Sequence, residues 1–596
     1  MCGFTGHVSF KEIDKHVLKH ANKHSHCRGP DSKNNLAENG NLNINLWFNR
    51  LAIIDLSKKA NQPMVSKNND SILMFNGEIY NANILREKLL KDGCVFDTNN
   101  SDTEALLNGL DKYGTDFISK LEGQFSFFYI NKNRKKIIIS RDRVGQKPFY
   151  YKFNNEELIF SSNLKSILEI VNDKEVDKSS LEQYISYGII FSPRTLFKNI
   201  YKLPPATFFE FEYSDEITLK KDHLYWEPDQ KLASTKFDQK EFENIFSNSV
   251  KKRMISDVPI ASFLSGGIDS SSIVKMQKEL GYKTKTFSVV IDNKKINEKK
   301  YIEEVVNRFK TDHEQITIDE KISDEIIQKA ILCLDEPFSD PSVVPSYYLS
   351  NLISKNFKVA ISGDGGDELL GGYQRIKNYL RKRSFFELLI SKIYKIYPSY
   401  LGSGTKLRSK SDDYFDAYLG YLEDEKLYNL IFKNKLNSEI KIKPQLSASE
   451  YKTLIKTDYR YYLSEQMMFK VDRTSMANSL EVRSPFVDHE LIEYIFSHEN
   501  SYFDGKAQKL PLRKYLLSDF SKNFLDRPKQ GFVFDYKNWV YSNIDNIFGV
   551  IDNSILNEYV NVSKIKILKY FRTRFNSLRI WKVYVLAIYL DSVKDR

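Results

Sequence analysis

Cysteine is scarce. Only four occur in 596 residues, and no two are spaced as CxxC. That excludes a disulfide framework and points to a reducing cytoplasm. His24, His26 and Cys27 stand close together, but no second group of ligands follows at zinc spacing, so no metal is expected there. Long apolar runs are also missing. None reaches the about 20 residues that span a bilayer, and the N-terminus has no basic-then-apolar signal pattern. No membrane association is expected. Leu388 to Ile396 comes nearest, but lysines interrupt it, and it reads as a buried helix. A one-sided charge is lacking too. The net +11 is a small excess of 89 basic over 78 acidic residues, scattered along the chain. The run Lys132 to Lys136 is short and interrupted, so a solvated surface is expected and nucleic acid is not an expected partner.

What is present is enough apolar residue, 41%, for cores in a chain too long for a single one, so two or more domains are expected. The first ~210 residues read as a meander of short strands. Asn43 to Phe48 alternates, Ser71 to Phe75 ends at Asn76-Gly77, and Gln124 to Ile130 pairs with Lys136 to Ser140 across a turn. Helical patterns at Asn83 to Lys91 and Thr103 to Tyr113 lie between them. Prolines then punctuate the chain near Pro204-Pro205 and Trp226-Glu227-Pro228, and a helix follows from about Asp238 to Met254. From Val258 strands and helices alternate: strands at 258–264, 284–291, 313–318 and 358–362, helices at 270–280, 298–310 and 322–334. This is the pattern of a parallel sheet with crossover helices, in which ligands bind at the carboxyl ends of strands. Beyond Leu380 the chain looks mostly helical, and there is no internal repeat.

Cys2 follows the initiator directly. Removal of Met1 would place a free α-amine, with a pKa near ~7.7–8.0, beside the thiol it must deprotonate. No histidine is then needed, and Gly3 leaves room for a substrate. Behind Cys2 come Arg28-Gly29-Pro30-Asp31, Arg50 to Asp55, Asn76-Gly77-Glu78-Ile79-Tyr80-Asn81 and Ser101-Asp102-Thr103-Glu104. Singly these have plain readings: Asn76-Gly77 as a hairpin turn, Arg28 to Asp31 as a surface turn, Asp102 as part of a helix cap. In this order behind Cys2 they resemble the N-terminal-nucleophile glutaminase domain of class II amidotransferases. The resemblance implies two antiparallel sheets between helices and Cys2 as nucleophile. The Asn76 side-chain amide and the Gly77 N–H would form the oxyanion hole. Arg50 would hold the glutamine α-carboxylate. Asp102 and the Glu78 region would receive the α-ammonium, with the backbone at Ile53 and Ile54 orienting the substrate.

Ser265-Gly266-Gly267-Ile268-Asp269-Ser270 follows an apolar strand and opens a helix, where backbone N–H groups and the helix N-terminus make an anion site. It lacks the lysine of a Walker A loop. Ser362-Gly363-Asp364-Gly365-Gly366-Asp367 lies at a second strand end. Asp269 and Asp367, one from each loop, are the candidate Mg²⁺ ligands, since Mg²⁺ takes one or two protein carboxylates plus phosphates. The first loop resembles the PP-loop of enzymes that split ATP into AMP and pyrophosphate. On that resemblance Ser265, Gly266, Gly267, Asp269, Ser270 and the backbone of Ser362 and Gly363 would contact the nucleotide. Leu264 and Val289 would flank adenine, although Val289 is equally a strand-core residue. Asp364 stands where the family has an acidic residue linked to acyl-adenylate formation.

The order of these parts, with Asp335-Glu336-Pro337, Val471 to Ala477, Leu480 to His489 and Arg527 to Phe532, resembles the glutamine-hydrolysing asparagine synthetases from Cys2 to about Trp539. The implied fold is an α+β sandwich at 2–215, followed at 225–596 by an α/β ATP pyrophosphatase domain with a parallel sheet and a largely helical C-terminal part. The implied substrates are glutamine, aspartate and ATP, with a homodimer as a family expectation. Lys470 or Arg473 would supply a cation near the transferring phosphate, or form a structural ion pair. One stretch departs from the family pattern. Pro337 to Pro345 holds no arginine where some asparagine-forming relatives have one, which leaves another carboxylate, such as a glycan uronic acid, open as acceptor.

Overall fold

A computed structural model describes residues 2–172, 174–228, 236–291, 299–318, 323–432, 438–447, 449–498, 508–527 and 534–594. The Asp238–Met254 expectation is met by a helix at Gln239–Arg253. Most of the Arg527 to Phe532 motif lies outside the described residues.

The first part is a sandwich of two six-stranded antiparallel sheets. One carries Cys2–Ser9 between Asn43–Arg50 and Glu157–Ser161. The other carries Ser71–Ile79 beside Gly123–Asn131, which pairs in turn with Lys136–Arg141. Strand Ser71–Ile79 shows why the layers form. Its side chains alternate between faces. Ile72 and Met74 pack with Phe4, Leu46 and Phe48 between the sheets. Leu73 and Phe75 pack with Leu85, Leu106 and Leu110 of the helices Ala82–Lys91 and Asp102–Tyr113. With both faces covered, the strand is buried throughout. By the same alternation Asn76 falls on the inter-sheet side, where Cys2 lies. The last strand of this sheet, Ile217–Leu224, pairs with Thr207–Tyr213 and so runs past the expected domain end at residue 215.

The second part holds a five-stranded parallel sheet in the order Asp312–Ile318, Lys285–Ile291, Ile260–Phe263, Val359–Ile361, Glu481–Arg483. Four of the strands are those expected, with ends shifted by one or two residues. The fifth was not legible. It is three residues long, two of them charged, and it returns to the sheet only after the helical stretch that ends at Met476.

The two parts share a core. Leu164, Tyr184, Ile185 and Leu196 from the first pack in one cluster with Phe242, Leu463 and Trp581 from the second. Leu51 and Ile53 meet Val359 and Met476 in a smaller apolar cluster. Between these lies a buried ion network. Asp472 accepts from Arg28 through both oxygens, at 2.8 and 3.0 Å, and lies 3.4 Å from Lys147 Nζ. Arg473 pairs with Asp335 at 3.2 Å and donates to the Tyr150 hydroxyl at 3.0 Å. Glu336 takes Lys202 at 2.9 Å. The motifs Arg28 to Asp31, Asp335-Glu336 and Val471 to Ala477 therefore meet at the domain interface. Burial raises the Asp472 pKa, but its three cationic neighbours outweigh that and hold it below the usual range. A depressed carboxylate contributes stability that is present above its unfolded pKa and lost as pH falls through the folded one. Asp472→Asn leaves buried cations unpaired. It is expected to destabilise the fold by about 3–5 kcal/mol, read as a drop in thermal midpoint near neutral pH.

The Leu388 to Ile396 expectation is corrected. The segment is helical, as Phe385–Lys392 and a 3₁₀ turn Ile393–Ile396, and opens with a capping box of Ser384 and Glu387. It is not buried: Phe385, Phe386, Leu389, Ile393 and Ile396 are all exposed. It meets the body through Tyr394, whose hydroxyl donates to Glu425 at 2.8 Å, and through the Lys395 carbonyl, which accepts from Lys426 Nζ at 3.3 Å.

Candidate active site

Cys2 begins the first strand, paired with Arg50. Its backbone N–H donates to Asn76 Oδ1 at 2.9 Å. That bond fixes the Asn76 amide and leaves Nδ2 buried with no hydrogen-bond partner among the described residues. A buried unpaired donor is costly and asks for an acceptor from outside. Gly77 has φ of +152°, and a Cβ there would come within 2.0 Å of the Gln124 carbonyl oxygen, so only glycine fits next to Asn76. Burial pushes the Cys2 thiol pKa up, while a hydrogen bond from the Leu51 backbone and the Arg50 charge pull it down. A thiol held in its neutral form needs a base at the moment of attack.

Arg50 is held by four acceptors, two on each terminal nitrogen. Its guanidinium donates to the carbonyls of Ile54 and Ser57 and to Asn61 Oδ1, at 3.3, 2.9 and 2.9 Å, and to the Asp55 carbonyl. All are neutral oxygens, and among the described residues no carboxylate pairs with it. The Ile53 carbonyl accepts from the Asp257 N–H at 3.0 Å, across the domain interface. Asp102 opens the helix Asp102–Tyr113 and accepts from the Ile79 N–H at 3.0 Å. Burial raises its pKa to about 6. Glu78 is buried near Arg483, at 3.6 Å, and its pKa is raised well above normal by burial and by the charges of Glu481 and Asp102. Its Oε2 has no hydrogen-bond partner among the described residues. Arg50, Asn76, Glu78 and Asp102 thus bring one guanidinium, one unpaired amide donor and two carboxyl groups to the region of Cys2.

The second centre forms where two strand ends meet. After Ile260–Phe263 the chain turns through Ser265-Gly266-Gly267 into the helix Ile268–Glu279. Ser265 and Ser270 lock the turn through their hydroxyls, 3.2 Å apart, and Ser265 Oγ accepts from the Gly267 N–H at 3.3 Å. After Val359–Ile361 comes Ser362, whose N–H donates to the Arg483 carbonyl at 2.9 Å and whose hydroxyl is buried without a partner among the described residues. The two loops touch: a Cβ on Gly366 would lie 2.6 Å from Asp269 Oδ1. Asp364 sits half-buried in the second loop, with its carbonyl bonded by the Ser484 hydroxyl. Leu264 is buried, its N–H bonded to the Phe287 carbonyl at 2.7 Å. Val289 packs in the sheet cluster that holds Ala261 and Phe287.

Asp269 and Asp367 converge on one ammonium, that of Lys509, with Asp367 at 2.6 Å and Asp269 in direct ion contact. Burial lowers the Lys509 pKa, but the two carboxylates outweigh it and the pKa rises. Lys509 has φ of +53° at the N-terminus of the helix Leu510–Leu516. A lysine held in that conformation is unusual and aims the side chain into the site. Sequence reasoning missed it, since a lone lysine before a proline-started helix carries no spacing signal. Arg473 belongs to the interface network instead, and Lys470 donates to the Ser342 hydroxyl at 3.0 Å, 3.9 Å from Asp340. Arg527 lies over the Tyr301 ring at 4.3 Å, with Nη2 near Gly267. Two oxygen-donor carboxylates that already share one cation, beside a glycine-lined loop, fit a magnesium ion that completes its shell with phosphate oxygens and water.

A thiol at the start of an antiparallel sandwich, joined to a parallel sheet with two glycine loops at strand ends, is an arrangement that suits an amidotransferase ligase, and the relatives of the chain are ligases of that class. Residues 241–574 match the family model described as asparagine synthase, and residues 1–226 match the glutamine amidotransferase domain. Asparagine synthetase [glutamine-hydrolyzing] 1 of Bacillus subtilis is 30% identical, over 99% of this chain and 96% of its own length. A putative asparagine synthetase [glutamine-hydrolyzing] 2 of Methanocaldococcus jannaschii is 38% identical over 64% of this chain and 77% of its own length. Asparagine synthetase [glutamine-hydrolyzing] 3 of B. subtilis is 27% identical over 89% and 86%. The chain belongs to the glutamine-hydrolysing asparagine synthetase family.

Proposed function

We propose that the chain makes asparagine from aspartate, ATP and glutamine, and that the mature protein begins at Cys2. The observation that carries the first half is the Asn76 amide, whose Oδ1 is taken by the Cys2 nitrogen and whose Nδ2 is left to donate. The Cys2 α-amine takes the thiol proton, and the thiolate attacks the glutamine amide carbon. Asn76 Nδ2 and the Gly77 N–H stabilise the oxyanion. Ammonia leaves with the proton returned by the α-ammonium, and water cleaves the thioester to glutamate. Arg50 faces the substrate α-carboxylate with its positive charge, and Asp102 with Glu78 holds the α-ammonium.

At the second centre the acceptor carboxylate attacks the α-phosphorus of ATP and pyrophosphate leaves. The loop at Ser265 to Ser270 and the backbone of Ser362 and Gly363 orient the phosphates, Leu264 and Val289 border the base, and Lys509 meets the charge that develops on the leaving oxygens. Magnesium, when bound by Asp269 and Asp367, supplies charge neutralisation at the phosphates. Asp364 lies beside the site where the acyl-adenylate forms. Ammonia crosses the interface between the centres, where apolar surroundings favour the neutral form that retains its lone pair. It displaces AMP from the adenylate.

A second reading keeps the reaction and changes the carboxylate, because Pro337 to Pro345 carries no arginine to hold a second acidic group. ATP–pyrophosphate exchange with a panel of carboxylates decides between them. Exchange driven by aspartate above all others supports asparagine synthesis, and exchange driven by a uronic acid but not aspartate overturns it.

The Asp102 pKa of about 6 sets a pH limit. An ionised Asp102 pairs with the substrate ammonium and a protonated one does not, so kcat/KM for glutamine is expected to fall as pH drops below about 6. The stability sign is opposite. This carboxylate is easier to protonate folded than unfolded, so the free protein loses stability as pH rises from 3.8 to about 6. Glutaminase rates against pH for the wild type and Asp102→Asn check the assignment, and an unchanged acid limb in the variant would reject it.

A further inference from the structure

The helix face exposed at Phe385–Ile396 is built for a partner that the two active centres do not supply. Phe385 is 72%, Phe386 75% and Ile396 80% exposed, with Leu389 and Ile393 above 40%. At 100° per residue these five side chains fall within about 100° of arc, so they form one stripe and not scattered single residues. The Phe385 and Phe386 rings touch edge to face, 6.2 Å between centroids. Contiguous exposed apolar surface of this kind marks an interaction site.

The stretch of chain that carries the stripe is mostly basic, although Glu425 reaches it through the Tyr394 hydroxyl and Asp412 acts on Arg383. Residues 381–410 hold eight basic residues and one acidic, Glu387. Glu387 is engaged by Arg381 and by the helix cap. Lys382, Lys392, Lys395 and Lys406 are exposed, and among the described residues none has an ion-pair partner. Lys392 and Lys395 flank the stripe within the same two turns. This contrasts with the rest of the chain, where acids and bases nearly balance.

We propose that this face is a membrane-surface dock that lays Phe385, Phe386, Leu389, Ile393 and Ile396 into the headgroup boundary of an anionic bilayer. Apolar side chains of this size on one face, with lysines beside them, match an interfacial helix, and the lysine stems reach up to phosphate while their carbons cover apolar surface. A second copy of the chain is a poorer occupant, because self-pairing of the stripe would bring Lys392 and Lys395 against their own copies. The stripe also stands out from the body, as its exposure shows, where a groove would be needed to receive a partner's side chains. No helix among the described residues is long and apolar enough to cross a membrane, so the attachment is peripheral.

The test is co-sedimentation of the full chain with vesicles of phosphatidylcholine alone and of phosphatidylcholine mixed with phosphatidylglycerol. Binding is expected to the mixed vesicles only and to weaken as salt is raised. Phe385→Ser/Phe386→Ser and Lys392→Glu/Lys395→Glu are each expected to lower the bound fraction about tenfold or more. Both pairs lie on the surface, so glutaminase and synthetase rates in solution should stay at wild-type values, which confirms the fold. The proposal is overturned if the wild type does not sediment with anionic vesicles or if the variants bind as well as it does. It is equally overturned, in favour of self-association, if the wild type is an oligomer that Phe385→Ser/Phe386→Ser dissolves.

Discussion

Cys2→Ala is expected to abolish glutamine-dependent synthesis, by about 10³-fold or more, while ammonium salts still support it at a rate within a few-fold of wild type. The reasoning is geometric. In the proposed mechanism Cys2 is the nucleophile of only one centre, and the second centre is assembled from residues beyond 260. Nothing at the second centre depends on the sulfur. Burial does connect the two, because Arg28 donates to the Cys2 carbonyl at 3.2 Å and to Asp472. Alanine keeps that carbonyl and loses only the Sγ atom. If ammonia-dependent synthesis were lost as well, the separation of the two chemistries would be wrong.

Asp269→Asn is the complementary variant. It removes one of the two carboxylates that meet at Lys509, and with it half of the charge that would hold a divalent ion. Pyrophosphate release is expected to fall by about 100-fold or more, the scale seen when one preorganised electrostatic partner is removed. Glutaminase should persist, since Asp269 belongs to the second centre, beside Gly366 and Lys509. Lys509→Met is expected to give a similar loss for a different reason, because the cation proposed to stabilise the leaving pyrophosphate is gone. Pyrophosphate release at wild-type rate in Asp269→Asn would remove that residue from the site.

Four strands of the parallel sheet were legible because each carries branched or aromatic residues and lies next to a helical pattern. Glu481–Arg483 was not, because its two charges are buried only by pairing: Arg483 with Glu481 at 2.5 Å, and Gln124 with Glu481 at 3.1 Å across the interface. Sequence patterns report burial of apolar residues, not of paired charges. The same blindness hid the purpose of Asp472-Arg473. Those residues stood out as a motif, and Arg473 was a candidate phosphate cation, but its partners Asp335 and Tyr150 lie far away in sequence. Lys509 was invisible for the converse reason, since what matters is where one ammonium points. The Leu388 to Ile396 stretch misled because an apolar stripe tells which residues want to leave water and not what will cover them. The positions around Cys2 were the most readable part, being set by short motifs at Arg50, Asn76 to Glu78 and Asp102, which two strands and the start of a helix carry.

The central claim is that nitrogen released at Cys2 is consumed at an adenylate without escaping. It is tested most directly by giving the mature chain ATP, aspartate and glutamine labelled with ¹⁵N in its amide, in the presence of unlabelled ammonium. The account predicts asparagine carrying the label in its side-chain amide, with AMP and glutamate formed in equal amounts. Unlabelled product would contradict it, as would ADP in place of AMP.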